Sequence, residues 1–248
     1  MRIEVIGQRL MTGRMAIAEA ALVFAQALHA KTQAYAETKV CNGVSGEVPL
    51  AAMPQLARVM DESRAALDEV VAYCVAVEGE LNACLAQNTI PSDDLVERIA
   101  VAKIKAIEVS VDRVHKLRLE VGSYALMSNT GFELADMLLC CKFAEGDSRI
   151  LLQKIARDRL KKLQKAGAAG LLSGLATDFA ETWAAFQLAR KLQAAPDKAA
   201  AWDAHWEDVY ALADLVCARH LAAGAARGAA FAEPLVDRFQ DRSCRSQL

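Results

Sequence analysis

RLMTGRMAIAEAALVFAQALHAKTQAYAETK, residues 9–39, is the stretch whose reading decides the fold. Met15, Ala18, Leu22, Ala25, Leu28 and Thr32 recur at three- and four-residue steps, the spacing of one face of an α-helix. Thr12 is a suitable N-cap, so the stretch predicts one helix from Thr12 to Lys39. CNGVSGEVP (41–49), with two Gly and a Pro, then breaks the pattern.

The same periodicity returns three times. A second helix is predicted over 50–87, with Leu56, Val59, Leu67, Val70, Val71, Cys74, Val77 and Leu81 inward and Pro54 in its first turn, where a missing N–H costs little. A third, capped by Ser92 or Asp93, runs to Met127 with Leu95, Ile99, Ala102, Ala106, Val109, Val114 and Leu117 inward. SNTGF (128–132) is a turn, a short helical piece reaches Phe143, and a fourth long helix covers 148–165. Helices over 169–194 and 197–223 follow, with Pro196 at their junction. No segment alternates with the strand period, and hairpin turn dipeptides are missing. Ala supplies 49 of the 248 residues, against 13 Gly and 5 Pro, and Ala is the strongest helix former. The expectation is an all-α chain: an up-down four-helix bundle over 1–166, then a helical extension and tail over 167–248.

Composition excludes several functions. Lys and Arg number 29 against 31 Asp and Glu, which gives no general attraction for nucleic acid. No run of 18 apolar residues is free of charge, so no membrane span is expected. MRIEVIGQRLMTG lacks the apolar core of a signal peptide, and seven Cys without a CxxC read as free thiols of a reducing compartment. His29, His115, His205 and His220 make no metal-binding pair, so no metal is expected. An intracellular protein is the expectation. The ending Ser246-Gln247-Leu248 is similar to a peroxisomal address; without it, cytoplasm or mitochondrion would be the expected place.

Chemistry concentrates in LRLEVGSYALMSNTGFELADMLLCCKFAEGDSRILLQKIARDRL (117–160). Glu145 stands just ahead of Gly146, at a break before a helix. Emerging from an apolar stretch that includes Leu138, Leu139 and Phe143, its carboxylate is expected to be partly desolvated, which suits a general base. On residues alone, Glu145 and Asp147 equally well complement the N-terminal dipole of the helix that follows. The basic run RDRLKKLQK (157–165) reads as a solvated helix face, with a CoA-phosphate or acidic-partner contact as the alternative, and Trp183, Trp202 and Trp206 as core or interface packing residues.

Two ordered segments resemble the acyl-CoA oxidase and dehydrogenase family. FAEGDSRILLQKIARDRL is similar to the end of its catalytic segment: Glu145, Gly146, Asp147, Gln153, Ala156 and Arg157 match, and Asp147 leans toward the oxidases. Residues 9–39, with Gly13-Arg14 and Tyr35-Ala36, resemble the first helix of the family's C-terminal helical domain. The resemblance implies a fatty acyl-CoA substrate, FAD as cofactor, and Glu145 as the base that takes the substrate's α-proton. It also implies FAD contacts at Lys39, Ser128, Asn129 and Gly131. The sequence departs from the family where Lys39 replaces Arg, Asn42 replaces Phe, and Ala125 to Asn129 replace a Gln-x-x-Gly-Gly stretch. A Lys keeps the charge but not the two-pronged donor geometry. The family's N-terminal helical and middle β-domains have no counterpart in the 248 residues. The chain is therefore expected to be a fragment of a longer enzyme, one half of a split enzyme, or a relic reused as a helical module; the resemblance also implies a homodimer, or a partner carrying those domains. The alternative is a non-catalytic helical scaffold or interaction module derived from the domain.

Overall fold

The first helix is longer than its N-cap suggests. The computed structural model describes residues 2–44 and 46–228, and in it α1 spans Arg2–Thr38. Thr12 lies inside that helix, its hydroxyl donating to the Arg9 carbonyl at 3.0 Å instead of capping an end. The periodicity itself is matched closely: Met15, Ala18, Leu22, Ala25, Leu28 and Thr32 are all buried. Burying each large side chain is worth about 1.5–3 kcal/mol, so this stripe is what fixes α1 to its neighbours.

The break at 41–49 is a small antiparallel hairpin, where no strand was expected. β1 (Val40–Gly43) pairs with β2 (Gly46–Pro49) in the register Val40↔Pro49 to Gly43↔Gly46. Four-residue strands with few apolar side chains carry too little alternation to stand out. Gly46, at φ +121°, supplies the backbone conformation that lets the chain turn back.

α2 (Pro54–Ala86) starts with Pro54 in its first turn, and α3 (Asp93–Glu120) is capped by the Ser92 hydroxyl, which accepts from Leu95 N at 3.2 Å. In α2 it is Met60, not Val59, that is buried. α3 stops seven residues short of Met127, because Gly122 takes φ +58° and the chain tightens into a 3₁₀ turn over Gly122–Leu126. α1, α2 and α3 pack mutually, and a core of Leu22, Leu56, Leu67, Leu81, Ile99, Ile104, Ile107 and Leu117 is sealed from solvent. α4 is short, Met137–Phe143.

Residues up to Glu145 form one compact unit, and Gly146–Ala223 a second. The second contains α5 (Ser148–Thr177), α6 (Phe179–Ala194), α7 (Lys198–Ala204) and most of α8 (Trp206–Gly228). α5 continues well past Lys165 but kinks at Gly167, whose φ of +60° and ψ of −154° leave the helical region. At the joint Asp178 caps α6, its carboxylate accepting from Glu181 N at 3.3 Å. The stretch over 197–223 is two helices because the chain breaks at His205.

Inside the second unit the basic run is not a solvated face throughout. Arg159 pairs with the buried Glu181 and donates to the Thr182 hydroxyl at 3.1 Å, while Arg219 reaches the other Glu181 oxygen at 2.7 Å. Arg157 lies over the Trp202 ring at 5.3 Å. Trp183 and Trp206 are exposed rather than packed inside. The chain is all-α apart from the hairpin, and among the described residues no helix is long and apolar enough to cross a membrane. The Ser246-Gln247-Leu248 ending lies outside the described residues.

Candidate functional site

α4 ends at Phe143, and Ala144 leaves it in an extended conformation with its N–H on the Cys140 carbonyl at 3.1 Å. Glu145 then takes φ +54° and Gly146 φ +102°. A left-handed glutamate is uncommon and costs energy that a glycine would not, so the surrounding structure must over-determine it. Asp147 closes the turn as the N-cap of α5, accepting from Arg149 N at 2.7 Å. Of the two carboxylates flanking Gly146, only Asp147 therefore does the dipole-matching work of a cap.

Glu145 points the other way, onto α1. Its carboxylate lies over the bare Cα of Gly13, where an added Cβ would stand 2.6 Å from Glu145 Cδ and 2.7 and 2.9 Å from the two oxygens. The next residue of α1, Arg14, donates from Nε to the Glu145 backbone carbonyl at 3.1 Å across 131 residues of sequence. Arg14 is buried, which pulls its guanidinium below its ordinary value, while the Glu145 charge acts in the opposite direction. The two segments singled out by sequence thus meet at one spot, through Gly13-Arg14 and Glu145.

The partial desolvation expected of Glu145 is not provided by this chain. Glu145 is exposed, and of the apolar residues before it only Leu138 is buried. Leu134, Met137, Leu139 and Phe143 are exposed as well, because α4 is too short to turn a full stripe inward. The carboxylate stands beside apolar surface that remains open to water.

The expected cofactor contacts lie elsewhere on the same unit. Ser128, Asn129 and Gly131 share one turn, in which Asn129 has φ +65° and Gly131 φ +97°. The turn is braced from α1 by Lys31, which donates to the Asn129 carbonyl, and by Tyr35, stacked on Tyr124 with ring centroids 3.7 Å apart. Phe132 meets Tyr124 edge-on and is buried. Gly131 is favoured by its φ of +97°, which residues with a Cβ rarely adopt, and a Cβ would also come within 2.9 Å of Leu28 Cδ1.

The Gly131 amide is already engaged: it donates to Glu133 Oε2 at 2.8 Å, and the Thr130 hydroxyl reaches the same oxygen at 3.1 Å. These backbone and hydroxyl donors hold the Glu133 carboxyl below the usual carboxylate range. A phosphate at Gly131 would have to displace that carboxylate, so Gly131 does not fit a flavin phosphate as built. Lys39, Ser128 and Asn129 are exposed. Sequence reasoning missed Glu133; the Thr130-x-x-Glu133 spacing, a capping-box pattern, was the available signal.

Gly13 and Lys31 are separated by eighteen residues of α1, about 27 Å at the helical rise. The Glu145 turn and the 128–131 turn are thus well apart within one chain.

Comparison with known proteins gives a fold and no more. The chain is similar in structure to an acyl-CoA oxidase from tomato (Lycopersicon esculentum), with a TM-score of 0.68 and 15% identity over 85% of this chain and 38% of that one. Acyl-CoA oxidase 1 of Arabidopsis thaliana matches with a TM-score of 0.66 and 16% identity, over 89% of this chain and 39% of its own. Acyl-CoA oxidase 1 of Yarrowia lipolytica matches at 0.59 and 14%, over 87% and 39%. The chain therefore has the fold of a portion of these oxidases and spans under two fifths of their length. No protein-family model and no curated protein matches the sequence.

Proposed function

We propose that this chain is the C-terminal, base-bearing part of an FAD-dependent acyl-CoA oxidase or dehydrogenase, with the oxidase favoured. The observation that carries the reading is the meeting of Gly13-Arg14 with Glu145. The two segments that resemble the family lie far apart in sequence, yet the carboxylate of one rests on the bare Cα of the other. The oxidase fold supports the same reading.

In this reading the substrate is a fatty acyl-CoA, whose thioester makes the α-carbon acidic. Glu145 takes the α-proton on a carboxylate oxygen, and the electron pair left behind forms the α,β double bond as a hydride leaves the β-carbon. Bound flavin supplies the hydride acceptor. Arg14 and Gly13 fix where the carboxylate stands, which counts because orientation supplies a large share of such a rate. Lys39 and Ser128 would hold a flavin phosphate.

The spacing along α1 bears on assembly. In FAD the ring and the pyrophosphate are joined by a five-carbon ribityl chain, far shorter than the roughly 27 Å between the two turns. One flavin held near 128–131 is therefore not the flavin that Glu145 serves in the same chain. A homodimer, or a partner bearing N-terminal and β-domains, resolves this. Such a partner would also cover Leu134, Met137 and Phe143 and dry the carboxylate.

A second reading is a non-catalytic scaffold derived from the domain. The exposure of Glu145 and the Glu133 carboxylate seated on Gly131 favour it. The visible absorption spectrum of the purified chain, alone and co-expressed with a protein carrying N-terminal helical and β-domains, separates the two. A flavin spectrum in the co-expressed material supports the enzyme. Colourless protein under both conditions supports the scaffold.

A further inference from the structure

Lys103 is among the largest fully buried side chains of the described residues, 0% exposed in the middle of α3. Taking an ammonium out of water costs several kcal/mol unless hydrogen bonds replace the lost solvation. Its Nζ donates to the backbone carbonyl of Lys142, 2.7 Å away in the last turn of α4. That carbonyl belongs to the group at a helix C-terminus that lacks intrahelical donors and carries the negative end of the helix dipole, where a cation is favoured.

The contact sits at a consequential place. α4 ends one residue later, Ala144 leads out of it, and Glu145 follows in its left-handed conformation. Arg14 holds the Glu145 carbonyl from α1 at 3.1 Å. Two cations, one from α1 and one from α3, therefore pin the carbonyls at the two ends of the four-residue stretch 142–145. A Leu or Met would fill a similar volume in α3 without the desolvation cost. What the ammonium adds is directional: it fixes how the chain leaves α4.

We propose that Lys103 is a positioning residue for Glu145, setting the geometry of the base from within the core by holding the Lys142 carbonyl. The inference rests on the reading of Glu145 as the base.

The test is residue-resolved amide hydrogen exchange on the full chain, comparing wild type, Lys103→Met and Lys103→Gln. In Lys103→Met, exchange at 142–146 is expected to quicken about tenfold, the equivalent of losing a hydrogen bond to a charged group, while 99–107 of α3 stays near wild type. Lys103→Gln, which keeps a shorter donor, is expected to fall between the two, and it carries the test if Lys103→Met does not fold. Unchanged exchange at 142–146, or a rise spread equally over α3, overturns the proposal. Glu145→Gln leaves the Lys142 contact intact and is expected to exchange like wild type at 142–146. If Glu145→Gln also oxidises acyl-CoA at the wild-type rate, the base reading fails while the hold of Lys103 on the turn stands.

Discussion

The carboxylate of Glu145 occupies the space that any side chain at Gly13 would need, with Cδ 2.6 Å from the position of an added Cβ. Gly13→Ala must therefore move one or the other. The Glu145 side chain is exposed and can swing away, so the stability change is expected to stay within about 0.5 kcal/mol. Acyl-CoA oxidation by the assembled enzyme is expected to fall at least about tenfold, because a displaced base loses its alignment. Urea unfolding of the chain and turnover of the assembled enzyme check the two halves.

His29 gives a pH dependence. It is buried in α1 and its Nε2–H donates to the Met60 carbonyl at 2.9 Å. Burial lowers its affinity for a proton more than the Met60 carbonyl and the nearby Asp68 and Asp61 raise it, and Arg64 lowers it further. The folded chain thus resists a proton that the unfolded chain takes up near pH 6.5. Stability from this site is full above that pH and declines as pH falls below it, toward the lower folded value. Unfolding free energies across this range should show the decline in wild type, and a shallower one in His29→Gln.

The hydroxyls of Ser63 and Ser110 are sealed inside α2 and α3 without a hydrogen-bond partner. An unpaired buried hydroxyl is a liability, and its removal leaves almost no cavity. Ser110→Ala is expected to raise the unfolding free energy by about 1 kcal/mol, read from the urea midpoint at unchanged slope.

In the second unit, Glu181 is 2% exposed and holds Arg159 and Arg219 at once. Glu181→Gln keeps the shape but removes the carboxylate that holds Arg159, and leaves Arg219 facing Asp178 at 3.9 Å. A destabilisation of about 3 kcal/mol is expected, with loss of exchange protection in α5, α6 and α8. Unaltered protection there would show the cluster to be dispensable.

Much of this architecture was legible in the sequence. The buried stripe of α1, the Ser92 cap and the place of Pro54 follow from periodicity and capping chemistry, which are local properties. The segment around Glu145 stood out for the same reason: a carboxylate followed by glycine at a helix boundary is a local signal. What escaped were features set by a single residue's conformation or by distant contacts. Gly122 ends α3 because it goes left-handed, and the hairpin at 40–49 is too short to show a period. Arg159 looked like surface until Glu181 was found beside it, and no local pattern tells that Lys103, mid-helix among apolar residues, reaches the end of α4. The contact of Glu145 with Gly13 likewise joins two segments that only the fold brings together.

The central claim is that Glu145 is the base of an acyl-CoA-oxidising flavoenzyme. Its most direct test is anaerobic mixing of a fatty acyl-CoA with the flavin-loaded assembly, followed by the flavin's visible absorbance, for wild type and Glu145→Gln. Rapid bleaching is expected in the wild type, and a loss of at least about a thousandfold in rate in Glu145→Gln, within the range for a general base beside an aligned substrate. Bleaching of Glu145→Gln at the wild-type rate would contradict it.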